Sequence, residues 1–286
     1  QDEAACQAAD EAGGVSGRRE ALQQKSEGVT HMNPHLHYPG SKKRIAPWII
    51  QHMPEHHSYL EPFFGGGAVL FAKEPSRIET VNDIDGEVVN FFQVIQNPKS
   101  REELCELVAY TPYSREVYDR AFRYQEGDVS RAAAFAVRSM QSHGFRLTEK
   151  CGWKKDVYGR EAAYAVRYWN RLPEALQYIG RRLKSVQIEN RPALELIRAF
   201  DHENVLIYCD PPYVLSTRGR RQYRFEMTDD DHEALLKELC KSRAKVMLSG
   251  YENSLYDRYL NGWRKEQITI RAQNTGLRVE TLWMNY

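Results

Sequence analysis

An aspartate, two prolines and a tyrosine close an apolar run in IYCDPPYVLS, residues 207–216. The segment VLIY predicts a buried strand that delivers Asp210 to its carboxyl end. Pro211 and Pro212 fix φ and remove two backbone donors, so the turn is stiff and its carbonyls are free to accept hydrogen bonds. The product is a rigid pair of acceptors, the Asp210 carboxylate and the Pro211 carbonyl, with the Tyr213 ring beside them. A planar group bearing an NH2 suits such a device. Each acceptor takes one N–H, and the ring stacks on the plane. Held this way, the amine nitrogen shifts toward sp3 character and its lone pair points at an electrophile. An aromatic amine is a poor nucleophile, so orientation and electrostatics must supply much of the rate.

A second constellation supplies the place for that electrophile. In EPFFGGGAVLF the residues Glu61, Phe63, Gly65 and Gly67 fall at a strand-to-helix turn, where glycine lets the backbone approach a ligand closely. The next strand, IETVNDID, ends in Asp83, with Asp85 two residues on. A carboxylate at the end of the second strand commonly holds ribose hydroxyls. Ligands of open α/β sheets sit outside the carboxyl ends of the strands. The expected ligand is therefore a nucleoside-bearing cofactor. A dinucleotide is disfavoured because Leu70 stands where the third glycine of GxGxxG belongs, and no GxxxxGK[ST] occurs.

These residues require a sheet whose strands end on one edge. Strand-like runs open the stretch 57–71 and occur within 78–85 and at 185–190, 204–210, 244–250, 267–272 and 278–286. Helical patterns separate several of them, at 86–97, 191–200 and 229–242. Alternating strands and helices predict an α/β fold with a mostly parallel sheet covered on both faces. The last two runs are joined by a short connection and predict an antiparallel hairpin at one edge. Residues 98–184 are helical and basic, broken at 142–159 by a loop or small hairpin. The expected organisation is a catalytic domain in two pieces, 32–97 and 185–286, around an insert at 98–184. Residues 1–31 have almost no large apolar side chains and are expected to be a tail or an extension, with Met32 a candidate natural start.

The totals exclude some classes. The chain has 286 residues, 42% hydrophobic content, 17 Tyr and 5 Trp, which suits a globular protein. No apolar run approaches the roughly 20 residues needed to cross a bilayer, so no membrane association is expected. Five widely spaced cysteines without a CxxC pair point to free thiols in a reducing cytosol. Net charge is +1, yet residues 131–184 hold 12 Lys and Arg against 4 Asp and Glu. That basic segment suits a phosphate-facing surface or a set of solvated helix faces.

Taken together, YPGSKKRIAPWI, EPFFGGGAVLF, VNDID, DPPY and the closing LSGY…RVETLW resemble the Dam-type adenine-specific DNA methyltransferases, which use S-adenosylmethionine (SAM). The resemblance covers about residues 33–286. The order of glycine loop, insert and DPPY is similar to the alpha arrangement, in which the target-recognition domain separates the two catalytic motifs. It implies a Rossmann-like SAM-dependent methyltransferase sheet with a target-recognition insert. It implies that Tyr38 and Lys42 contact SAM, and that Phe63, Gly65 and Gly67 form the cofactor loop. Asp83 matches the acid on the cofactor ribose. Asp210, Pro211, Pro212 and Tyr213 match the catalytic turn, with Asp210 also bordering the cofactor. Members flip the adenine out of the duplex before reaction. The insert does not resemble that of GATC-recognising members, so no target sequence is implied.

Two basic segments are candidates for the polymer. Arg218, Arg220, Arg221 and Arg224 follow DPPY with no acid between Pro211 and Phe225, and fit a loop gripping phosphates near the flipped base. In the insert, Arg146, Lys154 and Lys155 are singled out among Lys150, Arg160, Arg167, Phe145, Trp153 and Tyr158. Thr228 and the acids after it predict an N-capped helix. His35, His37, His52, His56 and His57 cluster without regular ligand spacing, and no metal is expected. The predicted function is methyl transfer from SAM to the exocyclic N6 of adenine in double-stranded DNA. Cytosine N4, adenine in RNA and a protein glutamine remain as alternative acceptors, and a catalytically inactive DNA-binding subunit as an alternative class. A monomer and a partner restriction endonuclease are both compatible with the sequence, and the expected setting is the cytoplasm of a bacterial or phage-infected cell.

Overall fold

Five residues, VLIYC, make the most buried strand of the molecule, and every one of their side chains is inside. A computed structural model describes residues 38–143, 150–158, 163–218, 221–272 and 276–286. The strands are β1 (Ser58–Glu61), β2 (Ile78–Asn82), β3 (Val186–Glu189), β4 (Val205–Cys209), β5 (Lys245–Gly250), β6 (Arg264–Ala272) and β7 (Gly276–Met284). They form one sheet in the order β3-β2-β1-β4-β5-β7-β6. β1 to β5 pair in parallel, and β7 runs antiparallel to both β5 and β6. The predicted hairpin at one edge is present, with β6 beginning three residues earlier than the periodicity indicated. This is the Rossmann-like arrangement expected of a methyltransferase. The tail at 1–31 lies outside the described residues.

Side chains alternate across the sheet, and each face has its own core. Tyr59, Val81, Leu206, Tyr208 and Met247 point to one side. Leu60, Val205, Ile207, Cys209, Val246 and Leu248 point to the other. The second face is covered by α8 (Ala193–Ala199), α9 (Asp229–Leu239) and α10 (Ser254–Tyr259) through Leu196, Leu235, Leu239 and Tyr256. Thr228 caps α9 in a reciprocal bond pattern with Asp231, as its sequence predicts.

The first face is covered by α1 (Ala46–Ile50) and α2 (Gly86–Gln96), and by helices from between β2 and β3. These are α3 (Pro98–Tyr110), α4 (Arg115–Arg120), α5 (Asp128–Gln141), α6 (Tyr164–Asn170) and α7 (Leu172–Leu183). Leu104, Phe135, Trp169 and Leu176 lie in the same apolar cluster as Tyr59 and Tyr208, so this segment has no core separate from the sheet. A buried ion cluster fastens it from below. Glu79 of β2 accepts from Arg182 of α7 at 2.5 and 2.8 Å and from Lys73 at 2.6 Å. Within the 142–159 stretch, Ser142 and Trp153 form an antiparallel bridge, which agrees with a small hairpin.

One local expectation is corrected. The glycine loop runs into turns over residues 68–73 and not into a regular helix. The bonds there are from Phe71 N–H to the Gly67 carbonyl at 3.0 Å, and from Ala72 and Lys73 N–H to the Val69 carbonyl at 3.1 and 3.0 Å. Pro75 follows two residues later and bounds the segment, since a helix does not readily continue into it.

Candidate active site

Because β1, β2 and β4 are parallel, their carboxyl ends bring Glu61, Asp83 and Asp210 to one edge of the sheet. The loop after β1 folds back onto the end of β2. Phe64 N–H donates to the Asn82 carbonyl at 2.8 Å, and Gly65 N–H to Asp83 Oδ2 at 2.8 Å. Gly65 and Gly67 adopt φ of 51° and 66°, a region that disfavours side chains. At Gly65 a Cβ would also meet the Tyr38 ring at 2.7 Å. The glycine is required twice, by the turn and by the tyrosine above it.

Asp83 does two jobs. Its second oxygen accepts from Asp85 N–H at 2.9 Å, so it ties the glycine loop to the start of α2. Burial raises its pKa to about 6 despite these bonds. Each oxygen retains a lone pair for a further donor such as a ribose hydroxyl. Beside it opens a cavity of about 390 Å³. Tyr38, Lys42, Phe63, Gly65, Gly67, Asp83 and Asp210, seven residues scattered over more than 170 positions of sequence, all border it. The volume and the apolar, glycine-backed wall fit a nucleoside-sized ligand.

The aspartate–proline–proline–tyrosine turn stands at the far end of that cavity. Lys42 Nζ lies 2.9 Å from Asp210 Oδ1 and 4.7 Å from the centre of the Tyr213 ring. The first contact is a buried ion pair. Burial raises the Asp210 carboxyl to about 6, and the Lys42 charge limits the rise. Burial alone would lower the Lys42 pKa, but Asp210 and Glu280 more than offset it, so the ammonium stays charged. Among the described residues no donor reaches the Pro211 carbonyl, which leaves it open as an acceptor. Tyr213 is buried, and its hydroxyl donates to Glu280 Oε2 at 2.6 Å.

The family is decided at this point by comparison with known proteins. The model of the D12 class of N6 adenine-specific DNA methyltransferases matches residues 38–275. The chain belongs to that family. It is 26% identical over 270 residues to a Type II methyltransferase, M.MjaIII, of Methanocaldococcus jannaschii, covering 84% of this chain and 92% of the relative. It is 25% identical to a DNA N-6-adenine-methyltransferase of Escherichia phage P1, covering 82% of this chain but 32% of that longer protein. A DNA adenine methylase of Vibrio cholerae is 24% identical, covering 79% of this chain and 84% of the relative. This D12-class chain is thus a DNA adenine N6-methyltransferase.

In the methyltransferase the basic residues after DPPY divide. Arg218 is corrected: it is buried and does not face solvent as a phosphate grip. Its Nε donates to the Tyr213 carbonyl at 2.6 Å, Nη1 to Glu226 Oε1 at 3.2 Å, and Nη2 pairs with Glu226 Oε2. Glu226 stands one residue beyond the acid-free window and draws the arginine inward. Arg221 is exposed. Arg224 is exposed too, with Nη1 3.6 Å from Asp85 Oδ1, and it borders the cavity. Arg220 lies outside the described residues, as do Arg146, Arg160 and Phe145.

In the insert, Lys155 and Tyr158 are exposed, whereas Lys154 is half-buried with its pKa lowered by burial. Trp153 is committed to packing, with Nε1 donating to Gln141 Oε1 at 3.1 Å and Arg115 over its ring. His56 is engaged with the Pro54 carbonyl and Ser76 Oγ, and His52 with the Trp48 carbonyl. His35 and His37 lie outside the described residues. Among the described residues no group of three His, Cys, Asp or Glu is arranged to hold a metal. No helix among them is long and apolar enough to cross a membrane.

Two site residues were given no role by the sequence reading. Glu61 borders the cavity, accepts from Tyr59 O–H at 2.9 Å, and is raised to about 8 by burial, so it is neutral at pH 7. Glu280 backs Tyr213. The signal for both was an acid beside large apolar side chains, Leu60 for Glu61 and Leu282 and Trp283 for Glu280.

Proposed function

We propose that the methyl donor is S-adenosylmethionine held in the cavity behind the glycine loop, and that the acceptor adenine is flipped out of duplex DNA onto the DPPY turn. The observation that carries this reading is that Asp210 borders the same cavity as Asp83 and the glycines. Acceptor and donor sites therefore share a wall. Asp83 would take the ribose hydroxyls, Tyr38 and Phe63 the flat faces of the nucleoside, and the backbone at Gly65 and Gly67 the close approach. When bound, SAM supplies a methyl group made electrophilic by its sulfonium.

The chain's own work is to prepare the amine. The Asp210 carboxylate and the Pro211 carbonyl each accept one N–H of adenine N6, which aims the nitrogen lone pair along the cavity. Tyr213 stacks on the base. Lys42 pairs with Asp210 Oδ1 at 2.9 Å, and the carboxylate retains lone pairs for the amine beside it. Asp210, with a pKa near 6, is also a competent acceptor for the proton the amine sheds. No covalent enzyme intermediate is required.

The helices at 98–184, with Lys155 exposed among them, form the proposed target-recognition insert. Arg221 and Arg224 are the proposed phosphate contacts near the flipped base. A partner restriction endonuclease is suggested by the Type II name of the Methanocaldococcus relative. The proposed setting is the cytoplasm of a bacterial or phage-infected cell. The test is transfer of an isotope-labelled methyl group from SAM to unmethylated duplex DNA, followed by digestion to nucleosides. Label in N6-methyl-2′-deoxyadenosine supports the reading; label in N4-methyl-2′-deoxycytidine, or none, contradicts it.

A further inference from the structure

We propose that Glu280 is a positioning residue that sets the tilt of Tyr213 and, through it, the seat of the methyl-accepting base. This rests on the reading of Asp210–Tyr213 as the amine-holding turn. Glu280 is 6% exposed, in the half of β7 where Thr281, Leu282, Trp283 and Met284 are each 2% exposed or less. A carboxylate there is costly unless it is bonded. Among the described residues it forms no ion pair, and its bond from the Tyr213 hydroxyl, at 2.6 Å, is its short contact. Lys42 acts on it only at longer range. A purely structural position in such a strand would be filled better by an apolar side chain.

The neighbouring geometry gives the bond a consequence. The tyrosine hydroxyl lies on the Cβ–Cγ axis, so anchoring it fixes the direction of that axis and leaves only the turn of the ring plane about it. Tyr251 meets the Tyr213 ring edge-on, with centroids 4.7 Å apart and planes at 76°. Arg278 in turn donates to the Tyr251 hydroxyl at 3.1 Å. Residues 278 and 280 lie on the same face of β7, because side chains alternate along a strand. β7 runs antiparallel to β5 with Thr281 opposite Gly250, which brings this face beside Tyr251 at the end of β5. One strand therefore anchors both tyrosines by their hydroxyls. Glu280 also gives the buried group of Lys42, Asp210 and Glu280 a formal excess of one negative charge. That sign suits the positive charge that develops on the amine nitrogen as its new bond to carbon forms.

The experiment is a double-mutant cycle in the full chain with Glu280→Ala, Tyr213→Phe and the pair, alongside Glu280→Gln. It reads kcat, KM for DNA, SAM affinity by calorimetry and melting temperature. Each of Glu280→Ala and Tyr213→Phe is expected to lower kcat by about tenfold to a hundredfold, the range of a lost bond to a charged group. SAM affinity should not move, since neither residue borders the cavity. The pair should be no worse than the worse single change, and Glu280→Gln, which keeps an acceptor oxygen, should lose less than Glu280→Ala. Losses that multiply would overturn the proposal, as would a Glu280→Ala protein with wild-type kcat and only a lower melting temperature. Should Glu280→Ala not fold, the cycle of Glu280→Gln with Tyr213→Phe decides by the same criterion. A wild-type chain that binds no SAM or leaves adenine unmodified overturns the underlying reading instead, and this inference with it.

Discussion

Replacing Arg218 by alanine separates two accounts of the loop after DPPY. The arginine is 8% exposed and serves Glu226 and the Tyr213 carbonyl at once. Its loss leaves Glu226 with the backbone N–H groups of Gln222 and Tyr223, at 2.6 and 2.9 Å, but without a counter-charge. It also strips a donor from the Tyr213 carbonyl. Removing one member of a buried ion pair costs about 3–5 kcal/mol. The lower figure alone shifts an equilibrium by more than about a hundredfold. Urea unfolding should therefore move to clearly lower denaturant for Arg218→Ala, with kcat reduced because Tyr213 loses its support. The double variant Arg218→Met with Glu226→Gln should recover part of the stability, because the stranded charge is gone and an acceptor remains for the Gln222 and Tyr223 N–H groups. Arg221→Ala should leave unfolding unchanged and instead reduce the slope of log affinity for DNA against log salt by about 0.9, the signature of one lost phosphate contact. If Arg218→Ala unfolds like the wild type and shows that reduced salt slope, the buried-pair argument is wrong and Arg218 grips DNA.

Three further outcomes are expected. Gly65→Ala places a side chain at φ 51° and 2.7 Å from the Tyr38 ring, so SAM affinity measured by calorimetry should fall by about tenfold or more, given ~1–2 kcal/mol for the left-handed backbone alone. With Asp210 and Asp83 both raised to about 6, their ionised forms are lost as pH falls through that value. At saturating SAM, kcat should therefore drop about tenfold per pH unit below it while KM for SAM rises in the same range, and a flat profile from pH 5 to 8 would contradict the assignment. Glu61→Gln mimics an acid that is already neutral at pH 7, because burial holds it near 8. Activity at pH 7 should stay within about threefold of wild type, a small effect for a surviving hydrogen bond, and any decline of the wild type above pH 8 that Glu61 causes should vanish in the variant.

What the sequence disclosed was governed by how local each signal was. The DPPY turn was legible as a buried strand ending in a stiff turn because strand, aspartate, prolines and tyrosine are consecutive. The glycine loop and Asp83 were legible as separate strand ends, and parallel pairing then brought them together as the alternation of elements required. Arg218 was misread because its fate depends on burial and on Glu226, eight residues away and just past the acid-free window. Glu280 was given no role because its partner Tyr213 is 67 positions distant and the pairing exists only once β7 lies against β5. The helix start expected after Gly67 became a run of turns, bounded by Pro75. The helices at 98–184 showed their period but not that they would share a core with Tyr59 and Tyr208, since an amphipathic stripe does not name the surface it will cover.

The most direct test of the central claim is long-read sequencing of unmethylated plasmid DNA after incubation with SAM and either the wild-type chain or Asp210→Ala. The account predicts N6-methyladenine confined to one short motif with the wild-type chain and none with the variant. Methyladenine made equally by Asp210→Ala, or modification that appears only on cytosine, would contradict it.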